Sequence, residues 1–219
     1  QFFILLELLS HDFPKQLPET LVITNAGGPS VLLTDNLSTH GFRSYQPNKR
    51  ELAKFSALDI AFRNPIDLLG DADPKRLQRI LEVIPLNHPQ LLLFILLTPQ
   101  DNTNLMVMAK MIANFNRKFK GILIVNLIGG DSVTLPIKYL KAKKIIVSVF
   151  SEDIIAALVK IRIYYLKLKA GNVRFIPKLV IDEGAKHKIK AIVQSRKGFL
   201  LEEQSLLIAK SYGFPLVKT

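Results

Sequence analysis

Four apolar runs of strand length punctuate the chain, at Leu21–Thr24, Leu91–Leu97, Gly121–Leu127 and Ile145–Val149. Between them, apolar residues recur at helical spacing, which predicts helices over Ser30–Thr39, Asn48–Ser56, Pro74–Ile84, Asn102–Phe119, Val133–Leu140 and Ser151–Lys169. Terminal residues fit these boundaries. Asp73 precedes Pro74 as an N-cap before an N1 proline, Glu152 and Asp153 suit the positive end of the last helix, and Gly171 suits its C-terminal cap. Strands that are apolar on both faces and alternate with helices predict a parallel sheet covered on both sides. Right-handed crossovers then give an α/β fold, a flavodoxin-like doubly wound sheet of about five parallel strands with helices on both faces.

The pattern changes near Asn172. Residues Asn172–Asp182 read as extended, Glu183–Arg196 as a basic helix, and Leu200–Tyr212 as an amphipathic helix stopped by Gly213 and Pro215. This tail has too few apolar positions for a core of its own, so the expected division is a domain over residues 1–171 followed by a C-terminal helical linker over 172–219. The opening Phe2–Leu9 run is too short to span a bilayer, is interrupted by Glu7, and lacks the flanks of a signal peptide; it reads as the end of a helix that begins upstream, in a chain that is a fragment.

Composition narrows the chemistry. With 219 residues and 48% hydrophobic content the chain can bury one large core, and with no cysteine it has neither disulfides nor thiolate chemistry and suits a cytoplasmic location. The four histidines stand apart from one another and from carboxylates at ligand spacing, so no metal site is expected. The net charge of +12 raises nucleic acid as a partner, but the lysines, densest over Lys138–Lys144 and Lys186–Lys197, lack aromatics interleaved in the way a base-stacking surface needs and read as solvated helix faces.

The first strand runs through Asn25, Ala26, Gly27, Gly28 and Pro29 into a helix. Glycines there can take positive φ and admit a ligand to the backbone, and the amides of Ser30, Val31 and Leu32, at the positive helix end, would meet a phosphate or carboxylate. An ordinary β–turn–α connection uses glycines as well. The other strand ends converge on the same sheet edge with small and polar residues: Thr98–Gln100, then Asn126 with Gly129 and Gly130. Gln100, Asn126, Gly129 and Gly130 are therefore second-tier candidates, joined by Asp67 and Asp71. The two aspartates are a conceivable acid–base pair, although carboxylates in a Pro- and Gly-containing loop more commonly bind its own amides.

Four phrases in order, Ile23–Pro29 (ITNAGGP), Asn64–Ala72 (NPIDLLGDA), Thr98–Gln100 (TPQ) and Asn126–Gly130 (NLIGG), resemble the NDP-forming acyl-CoA synthetases, among them the ADP-forming acetyl-CoA synthetases and the related succinyl-CoA synthetases. The resemblance spans nearly the whole chain. It implies that residues 1–171 are a succinyl-CoA synthetase-like flavodoxin-fold ligase domain and that 172–219 lead into a truncated ATP-grasp module. It further implies an acid–thiol ligase that interconverts acyl-CoA, NDP and phosphate with acid, CoA and NTP through a phosphohistidine, using CoA, ADP/ATP, phosphate and Mg. The family's Ser-His-Thr-Gly motif is absent; His11 follows a serine but continues Asp12-Phe13, so the phosphorylated histidine is expected outside this chain, which has no catalytic residue of its own. The resemblance assigns to this chain a phosphate-binding helix start at Asn25, Ala26, Gly27, Gly28, Ser30 and Val31, with Ser30 where the family usually has glycine. Its expected partners are the missing CoA-binding and ATP-grasp domains, with no membrane. The alternatives are a stand-alone flavin- or nucleotide-binding module and a basic nucleic-acid-interacting protein.

Overall fold

A computed structural model describes residues 2–11, 18–169, 183–194 and 200–212. The chain divides into two compact units, Gln1–Lys169 and Ala170–Thr219. The first holds, in order, α1 (Phe2–Leu9), β1 (Glu19–Thr24), α2 (Gly27–Thr39), β2 (Arg43–Ser44), α3 (Lys49–Ser56), β3 (Ile66–Asp67), α4 (Pro74–Val83), β4 (Leu91–Leu97) and α5 (Leu105–Asn116). It continues through β5 (Ile122–Leu127), a 3-10 turn (Gly130–Val133), α6 (Thr134–Ala142), β6 (Ile146–Ser148) and α7 (Ser151–Lys169). The second unit contains α8 (Glu183–Gln194) and α9 (Glu202–Ser211). The caps expected at Gly171 and Gly213, the extended segment 172–182 and Pro215 lie outside the described residues.

All strand pairings are parallel, in the order β2-β1-β4-β5-β6, with β3 also on β1. The doubly wound α/β architecture read from the pattern is therefore the fold. The six strands exceed the four apolar runs because β2 and β3 are two-residue edge pieces without a hydrophobic signature. Every residue of β4 and β5 is buried, as strands covered on both faces must be. One core layer packs Leu21, Ile23, Leu93 and Ile95 against Phe55, Leu77 and Ile112 of α3, α4 and α5. The opposite layer packs Val22, Phe94 and Ile124 against Leu33, Leu37 and Leu158 of α2 and α7.

Local chemistry fixes the helix starts. Asn48 accepts the amides of Arg50 and Glu51 while the Glu51 carboxylate accepts the Asn48 amide, a complete capping box, and the same carboxylate takes the Tyr45 hydroxyl at 2.8 Å. Asp73 caps α4 through the Arg76 amide at 2.8 Å. Two helix starts differ from the pattern by three residues, and α5 also ends three residues early, at Asn116. Helix α5 starts only at Leu105, because Asn104 is its N-cap, accepting the Val107 amide at 3.1 Å. Helix α2 starts at Gly27, three residues before the expected Ser30.

One edge of β1 is shared. Its start pairs with Arg43 and Ser44, and its end with Ile66 and Asp67. The Asn64 side chain fills the gap: its Oδ1 accepts the Val22 amide at 3.0 Å, and its Nδ2 donates to the Thr20 carbonyl at 2.7 Å and to the Ser44 hydroxyl at 2.8 Å. The asparagine of the Asn64–Ala72 phrase thus acts as a rung of the ladder. Asn64→Ala leaves the buried Val22 amide without an acceptor and is expected to cost about 2 kcal/mol, read as a lower urea midpoint at unchanged slope.

Candidate functional site

The sheet order places a switch point between β1 and β4. The chain leaves β1 for α2 on one face and leaves β4 for α5 on the other, so a crevice forms at the carboxyl ends of these neighbouring strands, where doubly wound folds bind ligands. Asn25, buried at 3% exposure, bridges it: its Nδ2 donates to the Thr98 carbonyl at 2.9 Å and its Oδ1 accepts the Thr98 amide at 2.8 Å. A side-chain amide here continues the β1–β4 ladder one step beyond its last backbone pair. Thr24 then turns the chain, its hydroxyl accepting the Ala26 amide at 2.9 Å.

Beyond this turn the chain enters α2 without a side-chain cap. Ala26 is the N-cap of α2 and supplies no side-chain hydrogen bond. Gly27 and Gly28 occupy the first two helical positions and are exposed, and a Cβ on either would meet nothing within 4 Å. Neither has positive φ, contrary to expectation; helical φ at these positions leaves nothing for left-handed backbone to do. The expected donors also shift. The Ser30 amide donates to the Ala26 carbonyl at 3.2 Å as the first intrahelical bond, and the buried Ser30 hydroxyl donates to the Gly27 carbonyl at 2.8 Å, so Ser30 faces no ligand. Val31 and Leu32 lie further along the helix, beyond the first turn of unpaired amides. Because Pro29 has no N–H, the amides of Gly27 and Gly28 are the pair left for an external acceptor; among the described residues no acceptor meets them.

The neighbouring loops close in as predicted for Gly129 and only in part for the rest. A Cβ on Gly129 would lie 2.5 Å from the Cγ and Cδ of Pro99, so the Thr98–Gln100 turn and the Gly129–Gly130 turn are in van der Waals contact through a position only glycine fits. Gly130 has φ +57 and opens the 3-10 turn. Gln100 is exposed, its Nε2 3.5 Å from the Thr98 hydroxyl. Asn126 is next to last in its strand, where the pattern puts it, but it is buried. It lies inside β5, fully buried in one rung with Thr24, Leu96 and Ser148, with Nδ2 at 3.4 Å from the Ser148 carbonyl and Oδ1 buried without a protein partner.

Asp67 and Asp71 hold their loop. Asp67 Oδ1 accepts the Leu69 amide at 2.8 Å, and Asp71 meets Arg76 Nη1 at 2.7 Å while the same nitrogen donates to the Leu68 carbonyl at 2.6 Å. The hydrogen bond from Arg76, reinforced by its charge, lowers the Asp71 pKa, so the link is fully present above the ordinary carboxylate pKa and is lost only as pH falls below it, through the lowered value. The turning role of Thr24 and the bridging role of Asn25 are not evident from the sequence pattern; a threonine and an asparagine closing an apolar strand are the available signal. Among the described residues no group of three or more His, Cys, Asp or Glu could hold a metal.

No family model matches the chain. A 4-hydroxybutyrate–CoA ligase [ADP-forming] of Nitrosopumilus maritimus is 25% identical over 207 residues, which is 92% of this chain and 29% of that protein. An acetate–CoA ligase [ADP-forming] I of Archaeoglobus fulgidus is 28% identical over 115 residues, 51% of this chain and 16% of that protein. The chain is a relative of the NDP-forming acyl-CoA synthetases. It spans less than a third of the length of either ligase. The fold is shared with the dinucleotide-forming acetyl-coenzyme A synthetase 1 of Ca. Korarchaeum cryptofilum, solved with phosphate and ADP, at TM-score 0.64 and 22% identity over 78% of this chain and 39% of that one. A Pyrococcus horikoshii structure matches at TM-score 0.61 and 21% identity over 78% of this chain and 40% of that one.

The contact that joins the two synthetase-like turns is open to test. Gly129→Ala is expected to lower stability by about 2 kcal/mol through overpacking against Pro99, measured by chemical denaturation.

Proposed function

We propose that this chain is one part of a larger ADP-forming acyl-CoA synthetase, and that its share of the reaction is to hold a phosphate or phosphoryl group at the start of α2. The observation that carries the reading is the pair of exposed, unpartnered amides of Gly27 and Gly28 at the switch point, with space where side chains would otherwise stand. Two aligned N–H groups and the positive end of a 13-residue helix stabilise phosphoryl oxygens without a charged side chain. The ADP-forming ligases similar in sequence support the reaction class, and the phosphate and ADP in the Korarchaeum enzyme support the ligand.

In this reading residues 1–171 are the ligase domain, and 172–219 are a linker and the opening of an ATP-grasp module. The phosphorylated histidine, the CoA site, the nucleotide site and the Mg that accompanies the nucleotide belong to other parts of a cytoplasmic enzyme. Asn25 and Ala26 position the helix start, Gly27 and Gly28 donate, and Gly129 with Gly130 shapes the neighbouring wall. None of these groups abstracts a proton or forms a bond to substrate; the contribution is electrostatic positioning of a transferred group.

The chain alone is expected to form no CoA thioester from acid, CoA and ATP. Robust synthesis by it would overturn the division of labour. Phosphate titration followed by NMR is expected to move the amide signals of Gly27 and Gly28 ahead of those in the lysine-rich helices; the reverse order would overturn the site. Gly28→Asp places a carboxylate at the anion position and is expected to abolish the Gly27 shift while leaving stability unchanged or raised, since an acidic residue in the first turn suits the dipole. Gly28→Ala, with open space for its methyl group, is expected to keep the shift and add up to about 1 kcal/mol of helix stability.

A further inference from the structure

On the face covered by α3 and α4, a cavity of about 540 Å³ opens beside β3, within the range of small-molecule sites. Leu58, Ile60 and Leu69 give it accessible aliphatic walls, above the buried Ile66, Leu68 and Ile80 of the core. Five charged residues line it as well: Asp59 and Arg63 from the α3–β3 connection, Asp67 from the end of β3, and Arg76 and Arg79 from α4, of which Arg76 is already engaged by Asp71 and the Leu68 carbonyl. Both signs are therefore present, yet they do not neutralise one another. The ion pairs among the described residues are Arg43–Glu19 and Arg76–Asp71. Arg79 gives one N–H to the Leu58 carbonyl at 3.2 Å, and Asp67 uses one oxygen on the Leu69 amide at 2.8 Å. Each retains hydrogen-bonding capacity, and neither Asp59 nor Arg63 has a side-chain partner in the described structure.

The backbone around the cavity is unusual too. Asp59 and Leu69 are non-glycine residues in the left-handed region, at φ 55 and 65, and both line it. A left-handed leucine is disfavoured by its Cβ, and here its side chain is 57% exposed instead of being compensated by burial. Such strain persists where the surroundings over-determine it, and it concentrates at ligand sites.

We propose that this cavity binds a small zwitterion with an aliphatic body, an α-amino acid of the leucine type. The guanidinium of Arg63 or Arg79 takes the carboxylate in a forked pair, Asp59 or Asp67 takes the ammonium group, and the walls formed by Leu58, Ile60 and Leu69 take the side chain. An anion alone would leave the two aspartates opposing it, and an amine alone would leave the three arginines opposing it. The proposal does not depend on the synthetase reading.

The test is titration of the isotope-labelled chain with L-leucine, with isocaproate, which lacks the amine, and with isoamylamine, which lacks the carboxylate. Leucine is expected to move the amide signals of Asp59, Leu68 and Leu69 saturably at millimolar concentration, and each truncated analogue to bind at least about tenfold more weakly. Arg63→Gln and Asp59→Asn are each expected to weaken leucine binding about tenfold at unchanged far-UV dichroism, asparagine being at home in left-handed backbone. The proposal is overturned by the absence of saturable shifts at these amides, by isocaproate or isoamylamine binding as tightly as leucine, or by folded variants that bind leucine as the parent does.

Discussion

Strand β1 is buried on both faces and flanked on both edges, so each of its backbone groups must find a partner inside the protein. Neighbouring strands meet that demand only in part. On one edge two short strands leave a gap, and at the carboxyl end the chain turns away into α2. Asparagine solves both problems, Asn64 in the gap and Asn25 at the end, because a primary amide carries a donor and an acceptor in the geometry of a peptide group. The geometry of the candidate site rests on this arrangement. It ties the Asn64–Ala72 loop to the sheet, and it holds the start of α2 beside the Thr98–Gln100 turn.

The same constraint explains what is legible in the sequence. Strands β4 and β5 announce themselves as unbroken apolar runs because both faces are covered, and the long helices follow from spacing and caps such as Asp73. Strands β2 and β3 have no such signal: Arg43–Ser44 and Ile66–Asp67 are strands only because β1 needs partners there. The helix start at Gly27 is obscured for a related reason. Two glycines and a proline carry little helical propensity, and α2 extends through them on the strength of Leu33 and Leu37 packed against the sheet.

The candidate site shows the same mixture. Convergence of the glycine turn, the Thr98–Gln100 turn and the Gly129–Gly130 turn follows from strand order, and the sequence pattern predicts it. The identity of the unpaired donors does not follow from residue types, since it depends on where the first intrahelical bond forms. Once the Ser30 amide is committed to Ala26, Pro29 subtracts a donor and Gly27 and Gly28 remain. Asn126 illustrates the opposite case: a polar residue near a strand end suggests a ligand contact, yet its place in β5 buries it one layer below the surface.

The absence of a side-chain cap on α2 has a consequence for order within the domain. Several polar groups in this region fasten something: Asn25 to Thr98, Thr24 to Ala26, Ser30 to Gly27. The first turn of α2 has two glycines and no capping oxygen of its own. On the proposed reading, a negative group at this turn would complete the helix in the way a capping aspartate does, so that occupancy and local rigidity would rise together and the stiffness of the turn would report the ligand.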